Sequence, residues 1–212
     1  MAKLRQGILG GITGSIGNVV GSSWKGIPVL KQKALSVSNP KTAGQVEQRA
    51  KMSSIVLLTK LILSGIIKPL WDRFAVQMSG YNAFVRANVS CFTAGVFTAF
   101  STFVISIGKI GVTEIQTLAG TSAQQTATIG WVNDGGVGFK LATDLAYIII
   151  YNETTDEFVF KSGDSIRTGI ALSADFSVNL NINDILHGYL AFRRADGTMV
   201  SNTGYKTFTV TA

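Results

Sequence analysis

The segment TATIGWVNDGGVGFKLATDLAYIIIYNETTDEFVFKSGD, Thr126 to Asp164, alternates short runs of β-branched and aromatic residues with turn clusters. Thr126 to Val132 runs into Asn133-Asp134-Gly135-Gly136, Leu145 to Tyr151 into Asn152 to Asp156, and Glu157 to Lys161 into Ser162-Gly163-Asp164. Three more runs follow at Phe176 to Asn181, Gly188 to Arg193 and Tyr205 to Val210. Turn signals every ~8–12 residues between short strands predict an antiparallel β-sandwich over 121–212, of the immunoglobulin-like kind. Trp131 and Tyr189 are the candidate core aromatics. A single cysteine, Cys91, excludes the inter-sheet disulfide of antibody domains.

Upstream the texture differs. Residues 1–38 carry glycines at 7, 10, 11, 14, 17, 21 and 26. A helix through so many glycines is disfavoured, because each costs ~1 kcal/mol relative to alanine. An extended basic arm is expected, with short strands at Asn18 to Trp24 and Ile27 to Gln32. Asn39-Pro40 and a capping-box pattern, Thr42 to Gln45, predict a helix start. Val46, Ala50, Ser53, Leu57, Leu61 and Ile62 then recur at three- and four-residue spacing, the pattern of one buried helical stripe. Pro69 ends or kinks that helix. A second helix is expected from Trp71 to Met78, with a turn at 79–82 and helix again from Ala83 to Val89. The run FTAFSTFVISI within 91–120 reads as apolar connecting strands. The fold class expected is therefore α+β: arm over 1–38, helical segment over 39–90, connecting strands over 91–120, then the sandwich.

The chain has 212 residues, 46% hydrophobic and 15% charged, enough for a sizeable core and too little charge for charge-driven disorder. Its net charge of +7 conceals an asymmetry. Residues 1–111 hold 13 basic residues against Glu47 and Asp72, whereas 112–212 hold 6 basic and 10 acidic ones. A basic front half suits phosphate, an anionic surface, or an acidic protein partner, including the acidic half of another copy.

No secretory signal is read in the first residues, because glycines interrupt the apolar stretch and no small-residue cleavage site follows. Ile55 to Ile67 is apolar but only 13 residues long and carries Lys60, short of the ~20 apolar residues a membrane span needs. It reads as a buried or interface helix. Cys91 reads as inert core in a reducing compartment.

Chemistry is sparse. One histidine and one cysteine exclude a His/Cys metal site within the chain. Neither G-x-x-x-x-G-K-[ST] nor G-x-G-x-x-G occurs. His187, beside Asp184, lacks a G-x-S-x-G elbow and reads as a partly exposed residue at a strand start. Glu153, Asp156 and Glu157 read as a polar hairpin turn. Asp134 and Asp144 lack calcium-loop spacing. No enzyme activity, cofactor or small-molecule substrate is therefore expected.

The segments SSWKG (Ser22 to Gly26), NPKTA (Asn39 to Ala43), GYNAFV (Gly80 to Val85) and HGYLAFRRADGTMVSN (His187 to Asn202) carry a resemblance. They resemble an uncharacterised family of bacteroidete bacteria and their phages, with the 39–84 stretch similar to small phage-associated structural proteins. The family assigns no catalytic residues. The resemblance implies a virion, made in a bacterial host's cytoplasm, as the setting.

The expectation is a virion structural component docking into an oligomeric head, connector or tail. Its partners would be copies of itself and other virion proteins. The interface candidates are Trp24, Lys25, Lys31, Lys33, Lys41, Arg49, Lys51, Leu57 and Leu61. The alternative is a nucleic-acid-binding protein whose dispersed cations meet phosphates of a packaged genome, with Trp24 stacking on a base. A surface-adhesion module is disfavoured by the missing signal segment.

Overall fold

The computed structural model describes residues 3–4, 11–24, 27–36 and 38–211. The chain divides into two compact units, 1–42 and 43–212.

The first unit is a four-stranded antiparallel sheet of β1 (Lys3–Leu4), β2 (Ile12–Ile16), β3 (Val19–Trp24) and β4 (Ile27–Gln32), in that order. The two later strands fall where the glycine-rich text predicts them. Two of its glycines are required by the backbone. Gly17, at φ +56°, opens the two-residue β2–β3 turn, and Gly21 faces Gly14 across the hairpin. A Cβ on Gly21 would run into the Ile12 carbonyl. Every residue of β4 is exposed, and β4 forms one edge of the sheet.

The second unit is α+β. Its sandwich pairs β7 (Ile115–Gly120), β8 (Thr126–Trp131) and β11 (Ala171–Asp175) in one sheet, order β11-β8-β7. The facing sheet joins β9 (Leu145–Asn152), β10 (Glu157–Ile166), β12 (Ile185–Arg193) and β13 (Gly204–Thr209), order β10-β9-β12-β13. Alternate residues of each sheet fill the space between them: Leu118, Ile129 and Trp131 against Ile148, Ile150, Leu190 and Phe192.

The outer face of the four-stranded sheet is covered too. Ile149, Tyr151, Tyr189 and Ala191 share a second core with Ile55, Leu58, Ile62, Ile66, Ile67, Leu70 and Phe84. Those come from α1 (Ala43–Leu61), a π-turn at Leu63–Ile67, α2 (Lys68–Trp71) and α3 (Gly80–Asn88). The middle layer is thus buried on both faces, which is why β9 reads LAYIIIYN without polar alternation.

Side-chain hydrogen bonds fasten these helices. The Trp71 indole donates to the Ile105 carbonyl at 2.8 Å. Asn88 donates to the Phe84 and Val104 carbonyls and accepts from the Val104 amide at 2.7 Å. Between α3 and β7 lie only two-residue strands, β5 (Phe92–Thr93) and β6 (Val96–Phe97), so most of FTAFSTFVISI is irregular chain whose phenylalanines plug the second core.

Four expectations are corrected. α1 begins at Ala43, after the Asn39-Pro40 signal. Its buried face holds Ile55, Leu58 and Thr59, while Val46, Leu57 and Leu61 are exposed. The helix expected over 71–78 stops at Trp71, because the next helix starts from the Ser79 cap, whose hydroxyl accepts from the Asn82 amide. The strand expected at 176–181 is Ala171–Asp175 instead. Phe176 and Leu180 are buried at a spacing of four, as loop residues closing the core rather than alternating along a strand. Trp131 and Tyr189 are fully buried, as expected.

No single helix among the described residues is long and apolar enough to cross a membrane; α1 and the helical stretch after it bend by 71°.

Candidate functional site

Leu57 and Leu61 lead to the site. They occupy one exposed flank of α1, 65% and 54% accessible, and line a groove of about 770 Å³ in the second unit. Leu58, Phe92, Phe97 and Phe158 supply its apolar floor, and Asp156, Glu157 and Ser177 its polar rim. The groove exists because a helix flank, the β5–β6 hairpin and the β9–β10 turn meet without closing. The β9–β10 turn is fixed by Asp156, which holds φ +53°. The Tyr151 hydroxyl donates to its carboxylate at 2.9 Å. Glu157 accepts from the Ser177 amide at 2.9 Å and hydroxyl at 3.0 Å. All these donors are neutral, and neither carboxylate forms an ion pair among the described residues.

The basic candidates scatter. Lys31 lies on exposed β4, and Lys33 and Lys41 are exposed beyond it. Lys33 donates its backbone amide to the Asn18 carbonyl at 2.7 Å. Trp24 ends β3 opposite Ile27, with its side chain outside the described residues, as is Lys25 altogether. Arg49 is on the exposed N-terminal half of α1, and Lys51 pairs with Glu47 one turn away at 2.7 Å. Of the nine candidates, the structure brings Leu57 and Leu61 together. The acidic rim was read only as a polar turn.

Two buried polar clusters were missed. Arg167 is fully buried beside Phe192, its guanidinium carbon 3.9 Å from the ring centroid. It donates to Asp134 at 2.6 Å, Asp144 at 3.2 Å, the Leu141 carbonyl at 3.2 Å and the Thr113 hydroxyl. Lys140 also pairs with Asp134. Burial opposes ionisation of Asp134, yet the hydrogen bonds from Lys140 and Arg167 prevail and hold its pKa below the usual carboxylate range. The two aspartates weighed for calcium thus share a guanidinium. Their convergence comes from the β8–β9 loop folding back on Arg167, which spacing does not reveal.

The second cluster centres on His187, which is buried rather than partly exposed. Its ring stacks on Phe100 with centroids 4.0 Å apart. Nδ1 lies 2.9 Å from the Tyr205 hydroxyl and Nε2 3.2 Å from Glu153. Burial pushes its pKa down, against the pull of Glu153. Cys91 is buried, and burial pushes its thiol up. Among the described residues no three His, Cys, Asp or Glu side chains converge as a metal site would require.

Fold and site define a two-unit α+β protein with an apolar groove that has an acidic rim. The sequence profile of a family of unknown function, DUF6266, matches residues 11–207, and the chain belongs to that family. No curated protein matches the sequence. A solved structure titled "Myokine structure" is similar over 49% of this chain and 100% of its own, at 11% identity and a TM-score of 0.34.

Proposed function

We propose that this chain is a non-enzymatic structural component of a phage-type virion, docking into an oligomeric head, connector or tail through its basic arm and α1. The observation that carries the reading is β4, exposed along its whole length in a unit that holds six basic residues and no acidic one over 1–42. Ile27, Val29 and Leu30 stand on that strand in solvent. Exposed apolar residues on an edge strand favour pairing with another surface. The order of the seven sandwich strands, with the first, second and fifth in one sheet, supports the finer immunoglobulin-like reading.

The second reading, contact with packaged nucleic acid, is favoured by the exposed Lys31, Lys33 and Lys41. Size-exclusion chromatography with light scattering, at low and high salt and with and without DNA, separates the two. A defined oligomer that persists in salt and ignores DNA is the expected result. A monomer that binds DNA and releases it in salt overturns the assembly reading, because phosphate contacts release counterions.

A further inference from the structure

We infer that the apolar groove lined by Leu57, Leu61 and Phe158, with Asp156 and Glu157 on its rim, is the seat for β4 of a second copy of this chain. The inference rests on the assembly reading and names its contact.

Charge selects the occupant. Among the described residues the Asp156 and Glu157 carboxylates accept hydrogen bonds from Tyr151 and Ser177 only, and neither belongs to an ion pair. Two uncompensated carboxylates repel nucleic-acid phosphate and attract a cationic segment. The chain carries such a segment itself, since all six charges in residues 1–42 are positive.

Shape agrees with charge. Side chains alternate across a strand, so Ile27, Val29 and Lys31 share one face of β4, each pair spaced by ~6.6 Å. That face offers two apolar groups followed by one cation. The groove offers an apolar floor bordered by acids. Both surfaces are exposed, with Ile27 59% and Leu57 65% accessible, and each leaves apolar area in water that the pairing removes. Because the two halves of the contact are different surfaces of one chain, copies join head to tail. Such heterologous joints close into rings or continue as filaments.

The test uses full-length chains bearing either Leu30→Cys or Leu57→Cys, mixed and treated with a short bismaleimide. Leu30, on the opposite β4 face, stays open to the reagent, whereas Cys91 is buried at 1% and poorly reactive. A two-chain product carrying one of each variant is expected. Adding Leu61→Asp to the Leu57→Cys chain replaces an apolar contact for Ile27 and Val29 with a charge desolvated against them, and should cut the yield about 100-fold at limiting concentration. Lys31→Glu should weaken self-association, and so should Glu157→Lys; the two variants mixed should recover it. Three results overturn the inference. A double variant, Leu30→Cys/Leu57→Cys, that cross-links within one chain at all dilutions assigns the groove to the chain's own arm. An oligomer seen by light scattering, with no cross-linked product joining the two variants and no effect of Leu61→Asp, removes the groove from the contact while leaving the assembly reading intact. A chain that stays monomeric at all concentrations removes both.

Discussion

Arg167 is the side chain on which the β8–β9 loop depends. Its charge is buried and offset by Asp134 and Asp144, and the Asp144 Oδ1 atom has no hydrogen-bond partner among the described residues. Removing one member of a buried ion pair leaves the other uncompensated and costs ~3–5 kcal/mol. Arg167→Met should therefore destabilise the chain by about that much, read as a lower urea midpoint. The double variant Arg167→Met/Asp144→Asn should recover part of the loss; equal loss in both would mean that the ion pair is not the cause. His187 gives a separate, pH-dependent prediction. Its pKa in the fold lies below the ordinary value of 6.5, through burial, with Glu153, Tyr205 and Tyr151 facing the ring. The unfolded chain then takes up the proton first, so stability is fully present above pH ~6.5 and falls as the pH drops below it. His187→Phe should flatten the stability profile between pH ~6.5 and the point where carboxylates begin to protonate. A wild-type profile already flat there would contradict the assignment.

At the scale of elements, α1 separates what sequence periodicity can and cannot decide. Successive residues turn about 100° round a helix, so the stripe through Leu57 and Leu61 and the stripe through Ile55, Leu58 and Ile62 lie only about 110° apart, on adjoining flanks that meet at Leu58. Both show three- and four-residue spacing, and IVLLTKLI is too apolar all round to choose between them. The strands β3, β4, β8, β9, β12 and β13 were legible because turn residues bound each of them. β7 and β11 were not, lacking a comparable run. The groove was legible only through Leu57 and Leu61, which the spacing puts on a buried helical stripe and which are also interface candidates. Its acidic rim needs the Ser177 loop to meet the β9–β10 turn, a contact across 20 residues of chain that spacing does not announce. The two flanks make opposite predictions. Ile55→Ala and Ile62→Ala should each cost ~2–5 kcal/mol, as large-to-small changes in a packed core do. Leu57→Ala and Leu61→Ala should each change the stability of the isolated chain by less than ~0.5 kcal/mol. Denaturant midpoints for the four variants, measured where the chain is monomeric, decide between the two assignments. Gly65 adds a prediction from the π-turn, since a Cβ there runs into the Phe160 ring. Gly65→Ala should cost ~1–3 kcal/mol by overpacking, and Gly65→Ala/Phe160→Leu should recover part of it.

For the whole molecule, the decisive feature is the sheet shared by two cores. Tyr151, Ile149 and Tyr189 face the helices, while Ile148, Ile150 and Leu190 face the other sheet, on the same two strands. Neither core can lose its packing while these strands keep theirs, so residues 43–212 should unfold as one cooperative unit despite their different halves. The three tryptophans suit the test, with Trp71 in the helical core, Trp131 in the sandwich core and Trp24 in the arm. A chain cut before Ala43 loses Trp24 and keeps both cores whole, and it should fold with a urea midpoint close to that of the full chain. In that background Trp71→Phe leaves Trp131 as reporter, and Trp131→Phe leaves Trp71. Each variant sheds an indole hydrogen bond, to Ile105 or to Arg167, so the midpoints of the two variants will differ. The comparison is therefore made within each variant, between tryptophan fluorescence and far-ultraviolet circular dichroism. Coincident transitions in both variants are expected. A fluorescence transition that precedes the dichroism change in the Trp71 reporter alone would mean that the helices leave the sheet first, and that the groove they border opens before the sandwich does.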